Sequence, residues 1–226
     1  MNMKRLAIVA LATLCVSACF HVRLGDRVMV KSQGPSVTRS YDFSGFDVIR
    51  TEGAYDVEFT QGDRWSIEVT TGENIHELLE IGVEKKVLRL GLKDRKTAVG
   101  DLRVAITAPD LRNIEVKGAA DLDLRDLSLG HDFAISVDGA GDVEADKLIC
   151  DRLEITVNGA GDIDISQLDA SRLDITVNGA GDIELGGKAG DVDVTVNGTG
   201  EIDARKLTVS GSFNKRLNGV GSVRTK

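Results

Sequence analysis

In Leu153-Glu154-Ile155-Thr156-Val157 the odd positions are apolar and the even ones polar, the alternation of a half-buried strand. The residues Asn158 to Gly161 interrupt it as a turn, after which Ile163 and Ile165 stand between Asp162, Asp164 and Ser166, and Leu168 comes before the pattern restarts at Leu173. A period of two puts Leu153, Ile155, Val157, Ile163, Ile165 and Leu168 on an inward face and the acids on an outward one. The next unit repeats this with Leu173, Ile175, Val177, Ile183 and Leu185. Copies of the hexapeptide Asn158-Gly159-Ala160-Gly161-Asp162-Ile163 begin at Asp138, Asn178 and Asn197, with frayed versions at Lys117 and Asn218. The first glycines of these copies, at 118, 139, 159, 179, 198 and 219, are 19 to 21 residues apart. Strand-like composition at a period near 20 predicts a repeat architecture. A single unit buries too few aliphatic side chains to offset the entropy of ordering its backbone, so neighbouring units must stack.

Two arrangements fit this pattern. Asn-Gly between alternating apolar residues is a strong hairpin signal, which suggests a run of antiparallel hairpins. A coil of parallel strands accounts better for the constant spacing, because each residue then sits about 4.8 Å above its equivalent one rung earlier and identical residues form ladders. From Tyr41 to about Pro109 the chain is strand-rich without the period. Phe46–Ile49, Ala54–Phe59 and Trp65–Val69 read as short strands, with Gln61-Gly62-Asp63 as a turn. Glu73–Leu79 reads as one or two helical turns with acidic residues at its start, and Ile81–Glu84 and Val87–Leu92 read as a hairpin through Lys85-Lys86. Thr51–Val57 resembles a degenerate first copy of the repeat. Residues 41–226 are therefore expected to form one all-β body, with irregular early rungs and a cap over 41–110 and regular repeats over 111–226.

The first residues change the picture of where the protein works. Lys4 and Arg5 precede the apolar run Leu6–Leu14, which is too short to span a bilayer and reads as an export signal, residues 1–18. Val16-Ser17-Ala18-Cys19 looks like a bacterial lipobox, in which Cys19 becomes the first mature residue and carries acyl chains. By resemblance to lipoproteins of diderm bacteria, Phe20 after the Cys implies delivery to the outer membrane, on its periplasmic or its surface side. Residues 19–40 form a tether whose Arg23, Arg27, Lys31 and Arg39 suit anionic lipid. With Cys15 removed and Cys19 acylated, Cys150 is the one free thiol and no disulfide within the chain can form.

The sequence resembles the head-GIN-domain family of autotransporter adhesins from roughly Phe43 to Val223, on its opening Phe43-Ser44-Gly45-Phe46-Asp47-Val48 and its repeated Gly-Ala-Gly-Asp turns. The resemblance implies a right-handed single-stranded parallel β-helix, a β-solenoid with rungs of about 20 residues. It supplies no catalytic motif to carry over.

Candidate chemistry is sparse. The net charge is −8, and no basic groove for nucleic acid is expected. Aromatic residues are 4% of the chain, which leaves few stacking platforms for bases or sugars. His21, His76 and His131 are too scattered for metal-ligand spacing, and no Ser/His/Asp set or Cys/His pair is visible. Arg152, Arg172 and Arg205 could assist acids in cleaving an acidic polysaccharide, but they recur on successive rungs as solvated positions do. The acidic ladder Asp142, Asp162, Asp182 and Glu201 is the sharpest feature, since carboxylates about 5 Å apart repel by about 1 kcal/mol in water and about 3 kcal/mol at an effective dielectric of 20. Calcium between rungs would relieve this, as would backbone N–H donors from each acid's own Gly turn. No cofactor is predicted by motif, and these four acids are the metal candidates. The turn ladder of Asn158, Gly159, Gly161, Asn178, Gly179, Gly181, Asn197, Gly198 and Gly200 is expected to be structural, its glycines allowing the turn and its asparagines bonding rung to rung. The expected function is a non-enzymatic, adhesin-like surface for an envelope polymer or protein, held to the membrane through Cys19. The alternative is a structural element that associates end to end, with Lys215, Arg216, Arg224 and Lys226 arguing partly against edge pairing.

Overall fold

The computed structural model describes residues 23–24 and 27–226, so the export signal, Cys19 and His21 lie outside the described residues. Inward aliphatic columns organise the repeats. The long strands β13 (Val143–Val157), β14 (Ile163–Val177) and β15 (Ile183–Val196) pair in parallel, each residue beside its equivalent one repeat later: Leu153 with Leu173, Ile155 with Ile175, Val157 with Val177. All six residues assigned inward in the first rung are buried, and so are the five of the next. The stack extends upward through β16 (Glu201–Val209), β17 (Phe213–Leu217) and β18 (Ser222–Arg224), and downward through β12 (Phe133–Gly139), β11 (Asp126–Ser128) and β10 (Asn113–Asp123). The Asn-Gly turns do not close hairpins. Their backbone bonds run to the turn below, from Asn158 N–H to Val137 O at 2.7 Å and from Ala160 N–H to Gly139 O at 2.9 Å.

Each long strand is more than a straight ribbon. In β13 the buried positions are 143 and 145, then 148 and 150, then 153, 155 and 157, so the inside–outside alternation slips by one residue at Asp146-Lys147 and again at Asp151-Arg152. Pairing with β14 skips position 146 and position 151, at the same two places. A rung therefore presents three outward segments, each with its own register column of outward residues.

The N-terminal part is mixed. Strand β4 (Val48–Gln61) joins the two short strands expected from sequence into one, because Gly53 continues it in register with Gly118. This places Thr51–Val57 as the first copy of the repeat. Below β4 lie β7 (Val87–Leu92) and β9 (Arg103–Ala108), both parallel to it. Antiparallel partners close this end: β6 (Leu79–Glu84) on β7, and β5 (Ser66–Gly72) on β9 with β3 (Ser36–Tyr41) outside it. Lys85 and Lys86 both have positive φ, 49° and 68°, the backbone of a two-residue hairpin turn. The helix α1 (Glu73–His76) is a single turn, the shorter of the two lengths expected, since Leu79 already belongs to β6. A small sheet of β1 (Arg23–Leu24), β2 (Arg27–Val30) and β8 (Thr97–Val99) flanks the body. The protein is thus all-β, with parallel pairing in the repeats and antiparallel pairing confined to its N-terminal part.

Candidate functional site

The turn ladder shows what its residues do. Asn178 donates from Nδ2 to Asn158 Oδ1 at 2.7 Å and accepts at its own Oδ1 from Asn197 at 2.7 Å; Asn158 donates to Asp138 and Asn218 to Asn197, each at 2.8 Å. This is a continuous amide ladder of the kind that staples stacked strands. None of these asparagines has a positive φ, so left-handed backbone is not their role. Among the ladder's glycines Gly159 has a positive φ of 158°, and the others differ from expectation in the same sense as the asparagines. A Cβ on Gly179 or Gly198 would stand 2.0 Å from the carbonyl oxygen of the glycine one rung below, and one on Gly181 or Gly200 would stand 2.3 Å from its counterpart. Close approach between rungs, rather than freedom to turn, excludes a side chain there.

Asp142, Asp162, Asp182 and Glu201 form one column. Asp142 Oδ1 accepts the N–H of Asp162 at 3.3 Å, Asp162 Oδ1 that of Asp182 at 3.0 Å, and Asp182 Oδ1 that of Glu201 at 2.9 Å. The three aspartates are therefore bonded to the N–H of the rung above, a third arrangement beside the own-turn donors and the cation left open from sequence, and Glu201 meets Arg224 instead. Among the described residues no three His, Cys, Asp or Glu side chains converge closely enough to hold one metal ion.

A second acidic column, missed from sequence, runs beside the first. Asp123, Glu144, Asp164, Glu184 and Asp203 lie in register, and Glu58 continues them downward. The available signal was alternation: each stands two residues after a turn acid and so shares its face. Basic partners occur at the two ends of the strip. Arg125 meets Glu58 at 3.3 Å and Asp123 at 3.2 Å, Arg224 meets Glu201 at 2.7 Å, Lys206 pairs with Glu184 and Arg205 with Asp203. Asp142, Glu144, Asp162, Asp164 and Asp182, in the middle, have no ion pair among the described residues. Two adjoining grooves of about 580 and 400 Å³ share Asp142 and Glu144, so the strip is a continuous shallow trough from Arg103 and Thr70 to Asp203.

Of the arginines named as catalytic candidates, Arg205 pairs with Asp203 at the end of the strip, and Arg152 and Arg172 are engaged elsewhere. Arg152 meets Asp174 at 2.6 Å, and Arg172 bridges Asp174 at 2.8 Å and Asp193 at 2.6 Å, a ladder of ion pairs on a different outward segment. The Asp174 carboxyl is held below the usual carboxylate range by its hydrogen bonds from Arg172, with Arg152 adding to them against the opposing effect of burial. Cys150 is buried, and burial, together with the neighbouring charges of Asp151, Asp132 and Asp169, pushes its thiol up to about 12, the opposite of what a nucleophile needs. His76 is buried with its Nε2 2.8 Å from Val37 O, and His131 Nε2 lies 2.6 Å from Asp110; neither is near the acidic strip's central residues.

These features define an all-β repeat protein that displays side chains in ranks on a sheet. The chain belongs to the head-GIN-domain family, described as "Putative auto-transporter adhesin, head GIN domain", whose model matches residues 45–225. Its fold is similar to that of a solved putative adhesin from Bacteroides fragilis, with a TM-score of 0.69 and 20% identity over 87% of this chain and 100% of that one. Similar too are a putative adhesin from Parabacteroides distasonis, TM-score 0.61 and 20% identity over 88% and 100% of the two chains, and a protein from the same species described as a putative lipid binding protein, TM-score 0.57 and 17% identity over 88% and 99%. No curated protein matches the sequence.

Proposed function

We propose that this protein is an exported, non-enzymatic lipoprotein, acylated at Cys19 and held on the outer membrane, whose right-handed parallel β-helix serves as an adhesin-like surface. The winding is supported by the in-register parallel columns and by the two slips in alternation, which act as corners between three outward segments. The observation that carries the binding role is the unpaired stretch of the two-column strip: fixed carboxylates repeated at rung spacing on a rigid sheet can engage a repeating cationic ligand at many points at once, so weak single contacts add up. Amine-bearing envelope polymer or a basic protein segment has that chemistry.

The test is retention of the purified chain, carrying Cys19→Ser, on isolated cell-envelope fractions at low and high salt. The comparison is an Asp142→Asn/Asp162→Asn/Asp182→Asn variant, in which each Asn keeps an Oδ1 to accept the N–H of the rung above while losing its charge. Retention that falls with salt and is lost in the variant supports the reading; equal retention of the two proteins overturns it.

A further inference from the structure

The last rung is built differently from those beneath it. Residue by residue, β17 extends the inward columns of β15, with Phe213 over Val192, Lys215 over Val194 and Leu217 over Val196. Lower in the middle column the residues are Ile135, Ile155 and Ile175, all buried. A lysine thus takes the place of an aliphatic residue at an inward position, and it is exposed. Arg216 sits next to it, over Thr195, in a column that is Ser136, Thr156, Thr176 and Thr195 through the regular repeats and becomes charged again only at Glu115 and Arg50 in the lower rungs. Among the described residues neither Lys215 nor Arg216 has an ion-pair partner, whereas Arg205, Lys206 and Arg224 of the same end are all paired to acids.

Among the described residues three ladders have no partner above this rung. No described strand pairs the far side of β17 or β18, so their backbone groups on that side have no described rung to meet. Asn218 donates to Asn197, but its own Oδ1, the atom every lower asparagine uses to accept from the rung above, has no donor among the described residues. Leu217 and Val220 are 42% and 84% exposed, among the few large apolar side chains that face solvent. An edge of this kind is a template for strand addition.

We infer that this edge accepts an added parallel strand from a partner segment carrying two adjacent acidic residues. A second copy of the chain fits it poorly. Edge-to-edge pairing about a twofold axis would bring Lys215 and Arg216 of both copies together, and head-to-tail stacking meets an N-terminal end already covered by β6, β5 and β3. The same two cations that repel a copy select an acid-bearing strand. Register fixes the pattern of that strand: apolar over Phe213, acidic over Lys215 and Arg216, apolar over Leu217, Asn over Asn218, then Gly over Gly219 and Gly221, where a Cβ on the rung above would meet backbone as one on Gly219 or Gly221 would meet Gly198 or Gly200. Lys215 and Arg216, which select the strand, lie outside the acidic strip, so their substitution tests this edge without touching the strip's carboxylates.

The probe is the fluorescein-labelled peptide Val-Thr-Glu-Asp-Val-Asn-Gly-Ala-Gly-Asp-Val-Glu, titrated by anisotropy with the full chain carrying Cys19→Ser. Saturable binding is expected, weakened at least about tenfold by Lys215→Glu/Arg216→Glu and recovered when the peptide's Glu-Asp is replaced by Lys-Lys. Both substitutions fall on exposed positions, and unchanged melting and circular dichroism verify that the variant is folded. Absence of saturable binding up to millimolar protein overturns the inference, as does equal affinity for a scrambled peptide or for the double variant. Sedimentation that finds a dimer dissociated by the double variant would assign the edge to a second copy and overturn it as well.

Discussion

Gly179→Ala tests whether the turn glycines are held by close approach between rungs. The new Cβ would stand 2.0 Å from the Gly159 carbonyl oxygen, 3.0 Å from its carbon and 3.1 Å from its nitrogen, against 3.4–4 Å for ordinary contact. The obstacle is backbone and cannot swing aside. The same oxygen accepts the N–H of Ala180 at 2.9 Å, so separating the rungs to make room weakens that bond too. Overpacking of a close-packed interior costs about 1–3 kcal/mol and a lost hydrogen bond about 0.5–1.5 kcal/mol, giving an expected loss of roughly 2–4 kcal/mol. At about 2–4 °C per kcal/mol for a chain of this size, Tm should fall by roughly 4–16 °C. Gly130→Ala is the control: nothing lies within 4 Å of its Cβ and its φ is not positive, so it should leave stability unchanged or raise it by at most about 1 kcal/mol. Urea unfolding and thermal melts of the two variants decide. Because a repeat array can open rung by rung, hydrogen exchange at Ala180 and Thr199 should also accelerate in Gly179→Ala. A Gly179→Ala protein within about 0.5 kcal/mol of the parent, or no less stable than Gly130→Ala, refutes the close-approach account.

Asn178→Ala removes two amide bonds from the ladder and should cost about 1–2 kcal/mol by urea midpoint, although the site is exposed. Asp174 has a lowered folded-state pKa, so the stability it adds is fully present above the ordinary carboxylate value of about 3.9 and fades as pH falls through that value toward the lowered one. Asp174→Asn should accordingly lower stability at pH 7 and flatten the acid limb below about pH 4, as read from urea midpoints between pH 2 and 7. In a chain lacking Cys15 and Cys19, Cys150 should resist thiol reagents at pH 8 while folded and react within minutes in denaturant; a fast native reaction would contradict its burial and raised pKa.

The repeats were legible because their core residues are set by a short local rule. Alternation named Leu153, Ile155 and Val157 as inward, and the 20-residue period named their partners Leu173, Ile175 and Val177. Two things escaped that rule. The slips at Asp146-Lys147 and Asp151-Arg152 place consecutive polar residues outside, which in a linear reading looks like a loop and in the structure is continuous strand. The antiparallel partners of the N-terminal part, such as β3 on β5, join residues about 30 apart with no repeat to mark them. For the candidate site the turn acids stood out because they repeat, yet which atom each would bond depended on the position of the next rung's N–H, and that distance is a tertiary fact.

The two acidic columns divide the labour of the strip, and that division can be tested. Asp162 has one oxygen committed to the N–H of Asp182, so a turn acid contributes to stacking whatever else it does. Glu144 and Asp164 are in register as neighbours, have no ion pair among the described residues and make no side-chain bond there, so their mutual repulsion of about 1 kcal/mol at solvent-like dielectric is eased only by the longer-range pull of Lys206 on Asp164. Charges that do not strengthen the stack are free to serve binding. A Glu144→Gln/Asp164→Asn variant should therefore equal the parent in urea midpoint or exceed it by up to about 1 kcal/mol, while retention on the envelope fraction falls. A loss of more than about 1 kcal/mol would show that the column holds the rungs together, and undiminished retention in a stable variant would move the binding surface off this face.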